Sequence, residues 1–304
     1  VHLDEDVVAA SRFHDAYRAW DTPSATQSSL VVGDVRWSPI ARLAQGEIAD
    51  VYLAERSRWP PQRALLKILR DVEDRRMLDA EWRTLAALRE SEAPGASAMV
   101  PLLPQPISHG EIGGGSHAGR HATVLRYVPG FDHTFEAVRA AYPDGVDGRV
   151  AVWMWRRILE ALAFLHRSGW VHGAVLPQHL IVERGEHGVR LVGYGASGAP
   201  GEALVALVTR YERLYPKSLL SSKRLAPDHD VQMSARCVAF VLGADADDHL
   251  PNSVPAPFRE LLESAGRGDG VEDAWRLRER VGTVASDLYG QPAFHPLVMP
   301  DDGT

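Results

Sequence analysis

Between residues 3 and 20, Val7, Val8, Phe13, Ala16, Tyr17 and Trp20 recur among charges at helical spacing, which predicts a helix before the polar linker Asp21 to Ser29. From Leu30 the period shortens to that of strands. The runs LVVG, WSPIARL, ADVYLAE and RALLKIL are separated by turn residues, and three antiparallel strands follow naturally from them. Residues 73 to 88 return to helical spacing, with Met77, Ala80, Leu85 and Leu88 apolar and Glu81 on an adjacent face. Two more strand candidates, VPLLPQPIS and HATVLRYV, flank the loop HGEIGGGSHAGR. A phosphate cradle needs a strand before it and a helix after it, so this loop reads as a flexible hairpin connection.

After Gly130 the pattern is mainly helical. Residues 149 to 167 form a long amphipathic run without Gly or Pro, ending at Ser168-Gly169. The loop VHGAVLPQHLIV follows, then a hairpin, HLIVERGEHGVRLVGYG, with its turn at Gly185 to Gly188. Helices are expected over about Val231 to Leu242, 255 to 265 and 272 to 287. This order predicts an α+β chain of two lobes. A helix and linker (1–29) precede a small lobe of five antiparallel strands and one helix (30–130), then a larger, mainly helical lobe with a C-terminal tail (131–304).

Composition narrows the function classes. At 304 residues, 45% hydrophobic and 24% charged, the chain can bury a sizeable core. A net charge of -7 argues against nucleic acid as a partner. The single cysteine, Cys237, excludes an internal disulfide, and its apolar setting, CVAFVL, makes it a buried helix residue rather than a nucleophile. No segment has the length of a membrane span and the N-terminus is acidic, so a cytoplasmic protein is expected. The apolar run around Lys67 implies a buried strand, where a lysine needs a counter-charge; Glu81 on the following helix can supply it.

Several short motifs, in order over approximately residues 36 to 288, resemble the protein kinase fold. AQGEIADVYLA resembles the Gly-rich hairpin over the nucleotide phosphates, with Gly46 as its remaining glycine and Val51 as the adenine cap. Lys67 and Glu81 match the family's phosphate-gripping pair. VLRYVPG resembles the strand and hinge between lobes, which puts Leu125 at the gate to the deep pocket and Arg126 to Val128 along the adenine edge; Ile181 is a further candidate nucleotide contact. VHGAVLPQHLIV resembles the catalytic loop, and VRLVGYG the strand ending in the family's metal-binding Asp-Phe-Gly. DVQMSARCVAFVLG resembles the central helix, whose first Asp holds the catalytic loop's backbone; here that is Asp230.

The resemblance also implies what is missing. His172 is in place, but Gly173 and Ala174 follow it where the family has Arg and the catalytic Asp. Leu176 replaces the phosphate-neutralising Lys, His179 the metal-binding Asn, and Gly193 the metal-binding Asp. Magnesium needs hard oxygen ligands, which this set does not offer, and His179 is expected to hydrogen-bond to backbone instead. Ala44 and Ala49 replace two hairpin glycines, and Leu65 replaces a small residue against the adenine ring. The buried Glu–Arg pair that closes the activation segment loses both members, with Ser218 near the Glu position. Leu85, His172 and Tyr194 keep the bulk needed for the column joining the lobes.

The resemblance therefore implies a pseudokinase that binds a protein partner, and the Ala- and Arg-rich style of the chain suggests a bacterial one. No cofactor is required, no metal site is expected, and ATP or another nucleotide would bind weakly, without magnesium, or not at all. The alternatives are an active ATP-dependent phosphotransferase with atypical catalytic residues and a sensor that binds a small molecule in the cleft without turnover. His172-Gly173 also resembles the His-Gly-Asp loop of aminoglycoside and choline kinases, which need the same Asp that Ala174 replaces.

Overall fold

A computed structural model describes residues 29–46, 48–56, 62–114, 117–270 and 273–299. The helix expected over residues 3 to 20 lies outside them, as do residues 115 and 116 of the Gly-rich loop. The small lobe is a six-stranded antiparallel sheet in the order β1-β2-β3-β4-β6-β5, formed by β1 (Leu30–Val32), β2 (Val35–Gln45), β3 (Ala49–Arg56), β4 (Gln62–Leu69), β5 (Pro106–Glu111) and β6 (His121–Arg126). The five expected strands are joined by β1, whose Val32 bridges to Ile112 beyond the far edge strand. The sheet thus curls over its own outer face. Leu30, Val32, Trp37, Ala54, Leu66, Ile68 and Val124 form a closed apolar cluster there, its Leu, Ile and Val side chains each contributing about 1.5–3 kcal/mol of burial.

Alternation on β4 puts Ala64, Leu66 and Ile68 into that cluster, leaving Leu65 and Lys67 for the opposite face. Helix α1 (Arg75–Arg89) covers this second face with Leu78, Leu85 and Leu88. It starts two residues later than its apolar spacing suggests, because residues 72–74 form a tight 3-10 turn in which the Asp71 carboxylate accepts from Glu73 N. The expected strand VPLLPQPIS is likewise shortened to Pro106 onward. Its first residues, Val100–Leu102, form a 3-10 turn that follows a one-turn helix, α2 (Ala96–Met99). Pro101 and Pro104 cannot donate to a ladder, and the Gln105 amide caps the turn by donating to Val100 O at 2.6 Å.

The large lobe holds α3 (Phe135–Ala141), α4 (Gly148–Arg167), α5 (Lys217–Ser222), α6 (Pro227–Val241), α7 (Ala256–Arg267) and α8 (Ala274–Tyr289), with a small sheet of β7 (Phe131–Thr134), β8 (Leu180–Glu183) and β9 (Gly188–Leu191). α4 begins where the Asp147 carboxylate accepts from Arg149 N and ends at Ser168 before Gly169, as its sequence predicts. A continuous core runs from Leu85 and Leu88 of α1 through α4 and α6 to Leu297 and Met299 of the tail, so the two lobes share it. The tail is pinned where His187 stacks between Trp153 and Phe294 and both Trp153 Nε1 and His187 Nε2 meet His295 O. Among the described residues, no helix is long and apolar enough to cross a membrane.

Cys237 is fully buried on α6, its thiol donating to Val175 O at 3.3 Å, and burial pushes its pKa up. We expect a thiol-alkylating reagent to leave the native protein untouched and to react once denaturant unfolds it. Rapid labelling of the native protein would show that α6 is not packed as described.

The candidate interlobe site

Lys67 lies opposite Val51 on β3 and Thr123 on β6, and its ammonium is paired with Glu81 of α1. Glu81 is almost wholly buried, and its second oxygen accepts from Tyr194 N at 3.3 Å. One carboxylate therefore ties β4, α1 and the segment after β9 together. Lys67→Ala should strand that carboxylate and cost about 1–3 kcal/mol, read by urea denaturation; an unchanged midpoint would mean the pair contributes nothing.

The remaining sheet-side candidates sit around this pair. Leu65 and Leu125 are cross-strand partners on β4 and β6, both facing the large core. Two branched side chains thus stand together at the back of the cleft. Arg126 is exposed and donates its backbone N–H to Gln105 O at 2.8 Å, while Val128 and Ile181 are half-buried. Gly46 is exposed at the hairpin, where its N–H donates to Ala49 O (2.9 Å) and its carbonyl accepts from Arg70 Nη1 (3.0 Å). Ala49 is buried and lies on the same face of β3 as Val51.

The loop facing the sheet is held from beneath by Asp230, fully buried in the first turn of α6. Its Oδ2 accepts from His172 N at 2.7 Å and contacts His166 Nε2 at 3.0 Å; its Oδ1 accepts from Gly173 N at 2.9 Å. Gly173 has φ +73°, and a Cβ there would lie 2.8 Å from both Ala196 O and Leu225 Cδ2, so a side chain cannot stand at this point. His172 donates through Nε2 to Val192 O (3.0 Å) and its ring meets Tyr194 edge-on at 4.7 Å. Leu85, His172 and Tyr194 are all buried, filling the column between the lobes.

Ala174 and Leu176 are buried within the large core and present no polar group. His179 turns inward, with Nδ1 on Ala174 O at 2.8 Å and Nε2 on Gln178 Nε2 at 3.1 Å. These partners fix a neutral ring that donates from Nδ1 and accepts at Nε2. Gly193 has φ +79°, and a Cβ on it would lie 2.6 Å from His179 Cδ2 and 2.7 Å from its Nε2. The imidazole thus occupies the space into which a side chain at 193 would project. Glycine at 193 and imidazole at 179 fit as a pair.

Burial is also the chief reason the His179 pKa falls to about 3, helped by nearby His172, while burial lowers that of His172 as well. A folded-state value below the ordinary 6.5 means the unfolded chain binds more protons between the two. Stability should therefore fall as pH drops from about 6.5 toward 3, by up to about 1.4 kcal/mol per pH unit for each such group. His179→Asn should flatten this acid slope in denaturation measured across pH; an unchanged slope would remove His179 as a cause.

A divalent metal does not fit these residues. The two buried carboxylates near the loop are committed, Glu81 to Lys67 and Tyr194 N, Asp230 to three nitrogen donors. Neither Gly193 nor Ala174 carries a ligand atom, and His179 Nε2 is engaged. No step through a bound metal can be built on this set.

Two features escaped sequence reasoning because they join distant residues. Arg210, before α5, reaches Glu136 on α3 at 2.6 Å and Gln178 beside the loop, while the Tyr211 hydroxyl donates to the same Glu136. Arg236 on α6 donates to Arg213 O, Leu214 O, Tyr215 O and Gly266 O. It links the two regions that the expected but absent Glu–Arg pair would join, and Ser218 stands exposed beside it. Arginine spacing along the chain carried no signal for either.

No family model matches the chain. A curated relative, the serine/threonine-protein kinase PknF of Mycobacterium tuberculosis, is 27% identical over 162 residues, covering 52% of this chain and 32% of that protein; its Mycobacterium bovis counterpart matches equally. The match thus spans about a third of those relatives' length. Among solved structures, the BubR1 kinase domain superposes with a TM-score of 0.62 at 12% identity, covering 93% of each chain. Vaccinia related kinase 3 gives 0.61 at 15% identity, covering 97% of this chain and 99% of that one. The chain has a bilobal protein kinase-like fold, with a sheet-rich small lobe and a helical large lobe.

Proposed function

We propose that this kinase-like domain works as a pseudokinase: it binds a protein partner and transfers no phosphate. The observation that carries the reading is the interlock at the loop, where His179 fills the space beside Gly193 and Ala174 offers no base. Phosphoryl transfer depends on positioned carboxylates and cations, so this loop lacks the means to orient an acceptor hydroxyl or a metal. The retained Lys67–Glu81 pair favours one qualification. A nucleotide entering the cleft would meet a single lysine, already paired, against a back wall thickened by Leu65, giving weak and metal-independent binding.

The test is a thermal-shift titration with ATP, ADP and GTP, each with magnesium, manganese or EDTA, beside a radiolabelled transfer assay. The expected result is no metal-dependent rise in Tm and no labelled product. A metal-dependent rise that Lys67→Ala abolishes, together with transfer, would overturn the reading in favour of an atypical phosphotransferase.

A further inference from the structure

Lys67, Thr123 and His109 stand side by side on three adjacent strands, since Thr123 on β6 is in register with Lys67 on β4 and with His109 on β5. Helix α1 presents a carboxylate to each base. Glu81 takes Lys67, and Asp79, two residues earlier, lies with Oδ1 2.7 Å from His109 Nε2. His109 Nδ1 is 2.8 Å from Thr123 Oγ1, and its ring stacks on Trp82 of α1 at 5.2 Å and 17°. A single imidazole thus has one nitrogen committed to the sheet, the other to the helix, and a face covered by the helix.

We infer that His109 is a proton-operated second tie that sets how firmly α1 sits on the sheet. With a neutral ring, Nε2–H donates to Asp79 and Nδ1 accepts from the Thr123 hydroxyl. On protonation both nitrogens donate, the hydroxyl rotates to accept, and the contact with Asp79 becomes an ion pair. The ring keeps both partners in either state, and the charged one grips α1 harder.

The surrounding charges temper the effect without cancelling it. Arg75 Nε shares Asp79 at 3.4 Å from Oδ2, Lys67 and Glu81 neutralise each other beyond Thr123, and Glu111 and His121 are paired in register further along the same face. His109 is mostly buried and Asp79 about one-third exposed, so water screens the pair only in part. The tie is independent of whether the cleft takes a nucleotide.

The experiment is hydrogen exchange on the full chain and on His109→Gln, which keeps a donor and an acceptor but cannot take a proton. The readout is the ratio of α1 protection, wild type over variant, at about pH 5.5 and about pH 8. We expect this ratio to be about threefold to tenfold higher at the acid value, with α4 exchanging alike in both proteins. An equal ratio at both values, or a change shared by α4, would overturn the inference. Should His109→Gln fail to fold, Asp79→Asn serves the same purpose: it must erase the acid gain, and a gain that survives it overturns the tie.

Discussion

Gly193→Asp, which places a carboxylate beside the His179 ring, is expected to destabilise the protein by about 3–5 kcal/mol. Three costs act together. The new Cβ would overlap the His179 ring at 2.6 Å, the backbone at 193 is left-handed, and the charge would enter a half-buried site where Lys67 is already paired with Glu81. The overlap can be separated from the others. In the double variant His179→Asn/Gly193→Asp the smaller amide frees the space, so a large part of the loss should return even though Asn alone forfeits the ring's packing. Urea denaturation of the four proteins forms a double-mutant cycle, and a favourable coupling of about 1–3 kcal/mol is expected. Additive losses would show that the two residues do not share a space.

Asp230→Ala should cost a similar about 3–5 kcal/mol, for a different reason. The carboxylate is costly to bury, but it satisfies the backbone N–H groups of His172 and Gly173 and the His166 ring at once. Removing it leaves two buried N–H groups and the half-buried His166 ring without an acceptor and frees the loop that carries Ala174 and His179. Asp230→Asn should lie between wild type and Ala, because its carbonyl can serve one side while its NH2 group opposes the other. Hydrogen exchange at residues 171–175 should rise in both variants. A loss below about 1 kcal/mol would mean that the loop is held by its apolar packing and not by this anchor.

Much of the fold was legible because its signals are local. Period-two alternation in β4 and the uninterrupted amphipathic run of α4 each state their element and its buried face within one stretch. The order of those elements, with the Lys67–Glu81 pair and Asp230 at the joints, points to the kinase-like architecture from sequence alone. The emptied loop was also legible, since an absent carboxylate is visible in sequence alone. What could not be read was the compensation. That His179 occupies the space beside Gly193 depends on two segments meeting in three dimensions, and spacing gives no measure of it. The same holds for Arg210 reaching Glu136, and for the curl that brings β1 to Ile112 as a sixth strand.

The Arg236 contacts have a consequence for how the surface of the large lobe can change. Its guanidinium binds main-chain carbonyls at 213, 214 and 215, together with that of Gly266. A carbonyl is present whichever residue bears it, so this fastening places no demand on the side chains it secures. A carboxylate–guanidinium joint would instead fix the identity of one residue in the segment. The neighbouring exposed positions Glu212, Lys217 and Ser218 are therefore free to diversify while the backbone beneath them stays fastened. A scaffold can acquire new specificities on such a face without refolding it.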